Sequence, residues 1–368
     1  MLKGETSSIE ESGDFISSMP DEILHHIFSF IPTILAVQTS ILSRRWRHVW
    51  CETPCLSFHG VETTARVITQ TLKSYRTLKI TSFRLANAYY VTSGEINSWI
   101  KLAMSRSVNK LFVSFLNYRC PDFFFLSAYL EQLSVSLALI VICTKVSWIS
   151  LRKLTLHSCS FSYGEPIANI LSGCPTLETL ELIYCRVYLG VLIWVRGNTI
   201  ATFRCASCPL SPTQTLIVET MFVRSAIPGI TRLLQNSPVL KKLIAKATCS
   251  GNIVDYGLDD HYLSLRGLNL DQCWRSEYMQ NFPTSVGIGS MVRCENAVSI
   301  LLASFLELVL RNSKTLEMMV VQFRTTHPLA LEFFSQLLQM PPTLPHNNNV
   351  SLVLNPSNYS LTASVSLS

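Results

Sequence analysis

Two cysteines three positions apart, Cys205-Ala-Ser-Cys208, are the residues in this chain best spaced for metal or redox chemistry. Zinc needs a second such pair, or two histidines at matching spacing. His157 and His261 stand isolated, and no thioredoxin-like strand–helix context surrounds the pair. Both cysteines therefore read as structural positions. His25 and His26 are neighbours on a helical segment and cannot share a face, so they are expected at solvated or rim positions. The run Arg44-Arg45-Trp46-Arg47 could touch phosphate. Neither a wider basic patch nor interleaved aromatic residues accompany it, so it reads as a solvated helix face and no nucleic-acid partner is expected. The phosphate-loop, nucleophile-elbow, zincin and dinucleotide-binding signatures are all missing. The residues predict no catalytic site, no metal and no cofactor.

The elements of the chain begin with a dense helical block at 14–50. Ser18 is expected as an N-cap with Pro20 in the first turn, and Asp21 and Glu22 complement the positive end of the helix dipole. Ile23, Leu24, Ile27, Phe28 and Ile31 follow at helical spacing until Pro32 and Thr33 stop the run. A second short helix is expected from Ile34 to about Leu42. In the third, Leu42, Trp46, Val49 and Trp50 fall at i, i+4, i+7 and i+8 and share a face. Three short helices cannot bury so many large side chains among themselves, so the surplus predicts a partner, another domain, or both.

The next region repeats. Leu151-x-x-Leu154-x-Leu156-x-x-Cys159 matches Leu177-x-x-Leu180-x-Leu182-x-x-Cys185, and looser copies precede it at Val108-x-x-Leu111-x-Val113 and Leu130-x-x-Leu133-x-Val135. A degenerate copy is Ile200-x-x-Phe203-x-Cys205-x-x-Cys208. The intervals fit the leucine-rich repeat of about 20–29 residues, with Cys159 and Cys185 at the buried small-residue position after the strand. A second alignment superposes Leu171 to Leu180 on Leu234 to Leu243 and on Leu310 to Met319. Each copy reads as a helix end, a stop, a turn and a strand start, with Gly173, Asn236 and Asn312 expected in the left-handed C′ conformation. Single repeats cannot bury their apolar face, so a stacked, curved solenoid is expected.

Composition agrees with burial. The chain has 368 residues, 48% hydrophobic and 15% charged, against about 25% charged in a typical soluble domain. The densest apolar run, 137–143, falls far short of the roughly 20 residues of a spanning helix, so no membrane partner is expected. Residues 1–12 are polar with three glutamates, so no secretory signal is expected. Twelve cysteines then read as reduced, small apolar residues in a protein of the nucleus and/or cytoplasm. The net charge of +6 is a mild bias that selects no partner.

Residues 15–50 resemble the F-box. Phe15-Ile-Ser-Ser-Met19-Pro20-Asp-Glu-Ile23-Leu24-His-His-Ile27-Phe-Ser-Phe-Ile31-Pro resembles its first helix, and Ser40-Ile-Leu42-Ser-Arg-Arg-Trp46-Arg-His-Val-Trp50 its last. With the repeats that follow, including Val146-Ser-Trp148 and Asp271-Gln-Cys-Trp274, the chain is similar to the plant F-box/leucine-rich-repeat family over about 14–325. The resemblance implies an α/β fold: a small N-terminal three-helix F-box, then a curved solenoid with parallel strands. It sets an F-box at 14–58 and a repeat region at 59–340, after a disordered 1–13; the tail at 341–368, rich in Pro, Asn and Ser, does not resemble the family and is expected to be loosely ordered. The repeats are strongest at 151–187 and weak at 188–232, where the family would hold a longer array, and 290–340 resembles an FBD-like end. Met19 stands where leucine is usual.

The function implied is a non-catalytic receptor subunit of a Skp–cullin–F-box (SCF) type ubiquitin ligase. The F-box would bind a Skp-type adaptor and through it a cullin–RING ligase. The repeats would hold a protein substrate on their concave strand face. Met19, Pro20, Ile23, Leu24, Ile27, Ile31, Leu42, Trp46 and Trp50 are the adaptor-binding residues so implied, some of which must instead close the F-box's own core. A plain interaction scaffold that no longer recruits a ligase is the alternative.

Overall fold

The computed structural model describes residues 19–42, 44–60, 63–86, 91–142, 145–161, 166–187, 210–220, 230, 233–234, 236–248, 309, 315–324, 351–356 and 363–366. The chain forms two compact units, Met1–Val108 and Asn109–Ser368.

The first unit opens with α1 (Asp21–Phe28), α2 (Thr33–Gln38), a 3-10 turn (Thr39–Ile41) and α3 (Trp46–Glu52). It continues as β1 (Cys55–Phe58), α4 (Ala65–Ser74), β2 (Ser82–Ala86) and α5 (Ser93–Ser105). These last four are a strand–helix–strand–helix pair that the leucine spacing did not announce. β1 and β2 run parallel with Leu56 opposite Phe83 and Phe58 opposite Leu85, and all four side chains are buried. Thr92 and Glu95 start α5 with a reciprocal capping box: the Thr92 N–H donates to Glu95 Oε2 at 2.8 Å, and the Glu95 N–H donates to Thr92 Oγ1 at 3.3 Å. The helical block is therefore continuous with a small α/β layer of the same unit.

The second unit is built on a ladder of strands. In order across it lie β3 (Lys110–Ser114), β5 (Gln132–Ser136), β8 (Lys153–His157), β10 (Thr179–Ile183), β12 (Thr215–Thr220), β13 (Lys242–Thr248), β14 (Met318–Arg324), β15 (Ser351–Pro356) and β16 (Ala363–Ser366). Every pairing is parallel except the last, between β15 and β16. Two inner rows cross the strands in register. One is Leu111, Leu133, Leu154, Leu180, Leu216, Leu243 and Met319; the other is Val113, Val135, Leu156, Leu182, Val218 and Ala245. All thirteen are at most 2% exposed. The leucine spacing is thus a record of register: residues repeating in sequence are neighbours across the sheet.

A second set of short strands, β6 (Leu139–Ile140), β9 (Ser160–Phe161) and β11 (Arg186–Val187), also runs parallel, and β4 (Leu126–Ser127) pairs in parallel with β7 (Ser147–Trp148). The chain passes between the two sets through Leu137, Ser158 and Tyr184, each in the left-handed region at φ 61°, 51° and 49°. Their N–H groups donate to His157, Ile183 and Glu219 carbonyls of the next strand at 2.7–2.9 Å, which offsets the cost of a side chain in that region. The following residues, Ala138, Cys159 and Cys185, form the small-residue column. The Cys159 thiol donates to the Val135 carbonyl at 3.3 Å and that of Cys185 to Leu156 at 3.2 Å. Those two carbonyls sit opposite each other in the ladder. The two cysteines therefore make the same bond one repeat apart.

Several sequence expectations change. The left-handed C′ role does not fall on Gly173 or Asn236; Gly60 is the one glycine at positive φ among the described residues. α6 (Pro166–Ser172) ends at Gly173 for another reason. A Cβ there would lie 2.4 Å from the Val146 carbonyl oxygen, and the Gly173 carbonyl accepts from the Trp148 N–H at 2.9 Å. Close approach of two backbones, not φ, demands glycine. Asn312 lies outside the described residues. The rung after β10 is β12, with Leu216 opposite Leu180, so the copy around Phe203 does not supply it. Residues 200–209, the Cys205 and Cys208 pair among them, lie outside the described residues, as do His261, Asp271 to Trp274, residues 1–13 and most of 188–232 and 290–340. The polar tail is not wholly without structure, because β15 extends the ladder with Leu352 opposite Met319. Its alternation, Leu352 and Leu354, is too short to announce a strand. Among the described residues no helix is long and apolar enough to cross a membrane, and no group of metal-ligating side chains is assembled.

Two outcomes test this packing. Gly173→Ala should lower stability by about 1–3 kcal/mol in urea denaturation, since the backbone of Val146 must move. Burial pushes the Cys159 thiol up to about 12 from an ordinary 9.0. The neutral thiol is the form the fold favours. Its contribution is complete below pH 9 and is lost as pH climbs from 9 toward 12. Native protein should leave Cys159 unmodified by iodoacetamide at about pH 8, and denatured protein should not.

Candidate adaptor-binding module

The module is built from α1, α2 and α3. Pro20 sets the first helix: its φ of −57° and ψ of 150° put the chain in extended backbone, and its carbonyl accepts the first bonds from Ile23 and Leu24. Helix α1 starts at Asp21 with no side-chain cap, and Ser18, expected to cap it, lies outside the described residues. Asp21 has a different task. Arg45 Nε donates to Asp21 Oδ1 at 3.0 Å, and another nitrogen of the guanidinium reaches the same carboxylate and the Met19 carbonyl. Arg45 therefore ties the approach to α3 onto the start of α1. His25 makes a second tie, its Nε2 lying 3.1 Å from the Val49 carbonyl. It is half-buried, at the rim, whereas His26 is exposed with its ring edge-on to Phe30 at 4.9 Å. A third tie joins the helices to the sheet layer of their own unit: Ser57 N–H donates to Thr33 Oγ1 at 2.7 Å.

These ties close around a small core of Leu24, Phe28, Ala36, Trp46, Val49, Trp50 and Cys51, with Met19, Ile31 and Val37 packed on its border. Phe28 and Trp46 meet edge to face at 5.6 Å. Of the nine residues expected to bind an adaptor, Leu24, Trp46 and Trp50 are interior, at 0%, 8% and 6% exposed. They hold the module's shape and have almost no surface of their own to offer. Met19 and Ile31 are half-buried at the core's border. Pro20, Ile23, Ile27 and Leu42 are exposed. Leu42 also leaves the face it was expected to share with Trp46, because α3 begins only at Trp46 and Leu42 follows the 3-10 turn.

Sequence reasoning missed three further apolar side chains left in water: Phe30, Leu35 and Ile41, at 75%, 45% and 85% exposed. On α1 the signal was present but two-sided. Leu24 and Phe28 (i, i+4) face inward, while Ile23 and Ile27 (i, i+4) form a separate exposed stripe, with Phe30 exposed in the turn just past the helix end. A single apolar run on a helix of eight residues carries two faces, one for the fold and one without a partner inside it.

The chain thus combines a small helical module with exposed apolar side chains and, in its other unit, a parallel ladder of leucine repeats. Comparison with known proteins bears directly on both parts. The F-box domain model matches residues 16–57 and the Leucine Rich Repeat model matches 150–175. Two F-box/LRR-repeat proteins of Arabidopsis thaliana are each 39% identical, with 95% of both chains covered. F-box/LRR-repeat protein 25 of the same plant is 46% identical over 183 residues, 48% of this chain and 70% of that one. The chain belongs to the F-box/LRR-repeat family. The first of these alignments runs over 459 positions, against 368 residues here, so at least 91 positions of that relative have no counterpart in this chain.

Separating fold residues from surface residues makes a testable contrast. Trp46→Ala should cost about 3–5 kcal/mol of stability, as a large buried ring leaves a cavity. Arg45→Gln should cost only about 1 kcal/mol in the same denaturation, since its pair with Asp21 is partly solvated.

Proposed function

We propose that the chain is a non-catalytic substrate-recognition subunit of an SCF-type ubiquitin ligase. One observation carries this reading: six large apolar side chains, Ile23, Ile27, Phe30, Leu35, Ile41 and Leu42, stand 40–85% exposed on one small helical module that matches the F-box. Burying a side chain of this size contributes roughly 1.5–3 kcal/mol, so a few of them suffice to anchor a Skp-type adaptor. With Pro20 they are the adaptor contacts, Met19 and Ile31 support them from the border, and Leu24, Trp46 and Trp50 keep the helices in place. Arg44 and Arg47, exposed on the same module, would speed association with an acidic adaptor surface more than they deepen affinity.

The repeats hold a protein substrate on the outward strand face. Ubiquitin transfer is the chemistry of other subunits, reached through the adaptor and a cullin–RING assembly. This chain contributes a raised local concentration of substrate. The reading involves no cofactor, nucleic acid or membrane, and it places the protein in the nucleus and/or cytoplasm.

The test is retention of a purified Skp-type adaptor by the full chain. Ile27→Asp and Leu42→Asp should each reduce retention about tenfold or more. Both positions are exposed, so each should move the denaturation midpoint by no more than about 0.5 kcal/mol. A parent chain that retains no adaptor, or variants that retain it undiminished, would leave an interaction scaffold without a ligase.

A further inference from the structure

We infer that the outward face of β12, β13 and β14 binds an extended protein segment in which acidic residues alternate with aliphatic ones. This names the substrate class for the receptor reading above and rests on it.

The face has an apolar line with charge beside it. Ile217, Ile244 and Val320 are opposite one another in the ladder, on the side away from the buried leucines, and each is half-buried. Strands lie about 4.8 Å apart, so the line is roughly 10 Å long, which two alternate side chains of an extended segment can cover. Lys242 and Lys246 flank Ile244 on β13 at two residues either way, which puts all three on the same side of the sheet.

The acidic residues of this face are already engaged. Glu181, with 15% of its side chain exposed, accepts from Lys153 Nζ at 2.7 Å and from the Thr155 hydroxyl at 2.9 Å. Glu219, with 14% exposed, accepts from the Tyr184 hydroxyl at 2.6 Å and lies 3.8 Å from Lys246 Nζ. Lys242 is different. Its neighbours across the strands are Thr215 and Met318, so neither side offers a carboxylate. Among the described side chains, the outward positions of the ladder therefore hold Lys110, Lys153, Lys242 and Lys246 against two shielded glutamates. A basic segment would be repelled there. A wholly apolar one would bury the Lys242 ammonium without a counter-charge. A segment that sets a carboxylate beside an aliphatic residue satisfies both features. Single-stranded nucleic acid would meet aliphatic side chains where it needs aromatic platforms.

The experiment selects random peptides displayed on phage against the full chain bound to a Skp-type adaptor. The winning peptides are then titrated by fluorescence anisotropy. Enriched peptides should alternate Asp or Glu with Leu, Ile or Val. Lys242→Glu should weaken their binding about tenfold or more, and replacing the peptide's acidic residues by lysine should restore binding to that variant. Lys242→Gln, which keeps the strand neutral, should give a smaller loss in the same direction. Neutral or basic winners, no enrichment, binding indifferent to Lys242, or equal binding of polyglutamate would each overturn the inference. Retention of adaptor is measured on the same samples. If it persists while peptide selection fails, only the substrate class is lost; if the parent chain retains no adaptor, the receptor reading fails by itself.

Discussion

Parallel pairing in strict register is the constraint on which the second unit depends. No single repeat of about two dozen residues can bury its own leucines. Each inner leucine is sealed by the rungs on either side: Leu154 lies between Leu133 and Leu180, and Leu180 between Leu154 and Leu216. Everything else in a repeat serves that alignment. The left-handed residues Leu137, Ser158 and Tyr184 turn the chain away at one height, and Cys159 and Cys185 tie the turn back to the preceding strand. Trp148 is fully buried against Phe124 and Phe125, and its ring N–H donates to the Phe124 carbonyl at 3.0 Å, so the connections are closed as firmly as the ladder.

The helical module solves the opposite problem. It must be stable with a core of about seven side chains and still leave apolar residues outside. Polar ties carry part of that load: Arg45 to Asp21, His25 to Val49 and Ser57 to Thr33 join segments 24 residues apart in sequence. Such bonds hold helices together without burying the exposed apolar faces. A chain that relied on burial alone would draw Ile23, Ile27 and Phe30 inward and have nothing left to present.

Much of this was legible in the residues, and the gaps have physical causes. The leucine spacings at 108–113, 130–135, 151–159 and 177–185 correspond to adjacent strands, because an inward residue in a parallel ladder must recur once per repeat. The copy at Phe203 misled because a spacing of 23 residues looks right for a repeat, while the chain in fact takes 36 residues from Leu180 to the next rung at Leu216. Gly173 was marked as special by its type, but only the proximity of Val146 gives the reason, and proximity across a fold leaves no trace in a local pattern. In the F-box, residue type marked apolar positions but passed over Phe30, Leu35 and Ile41 and could not sort Leu24 from Ile23. One position on a helix turns a side chain by roughly 100° and decides whether it builds the core or faces water.

The uneven distance between rungs has a consequence of its own. Leu133 to Leu154 takes 21 residues, Leu154 to Leu180 takes 26, Leu180 to Leu216 takes 36 and Leu243 to Met319 takes 76, yet the ladder closes each time without a slip. The sheet counts steps and is indifferent to how much chain is spent between them. Connections can therefore lengthen or shrink while the outward strand residues keep their neighbours. A lineage could lose whole stretches of such a protein, or acquire them, and hand down the same outward strand face.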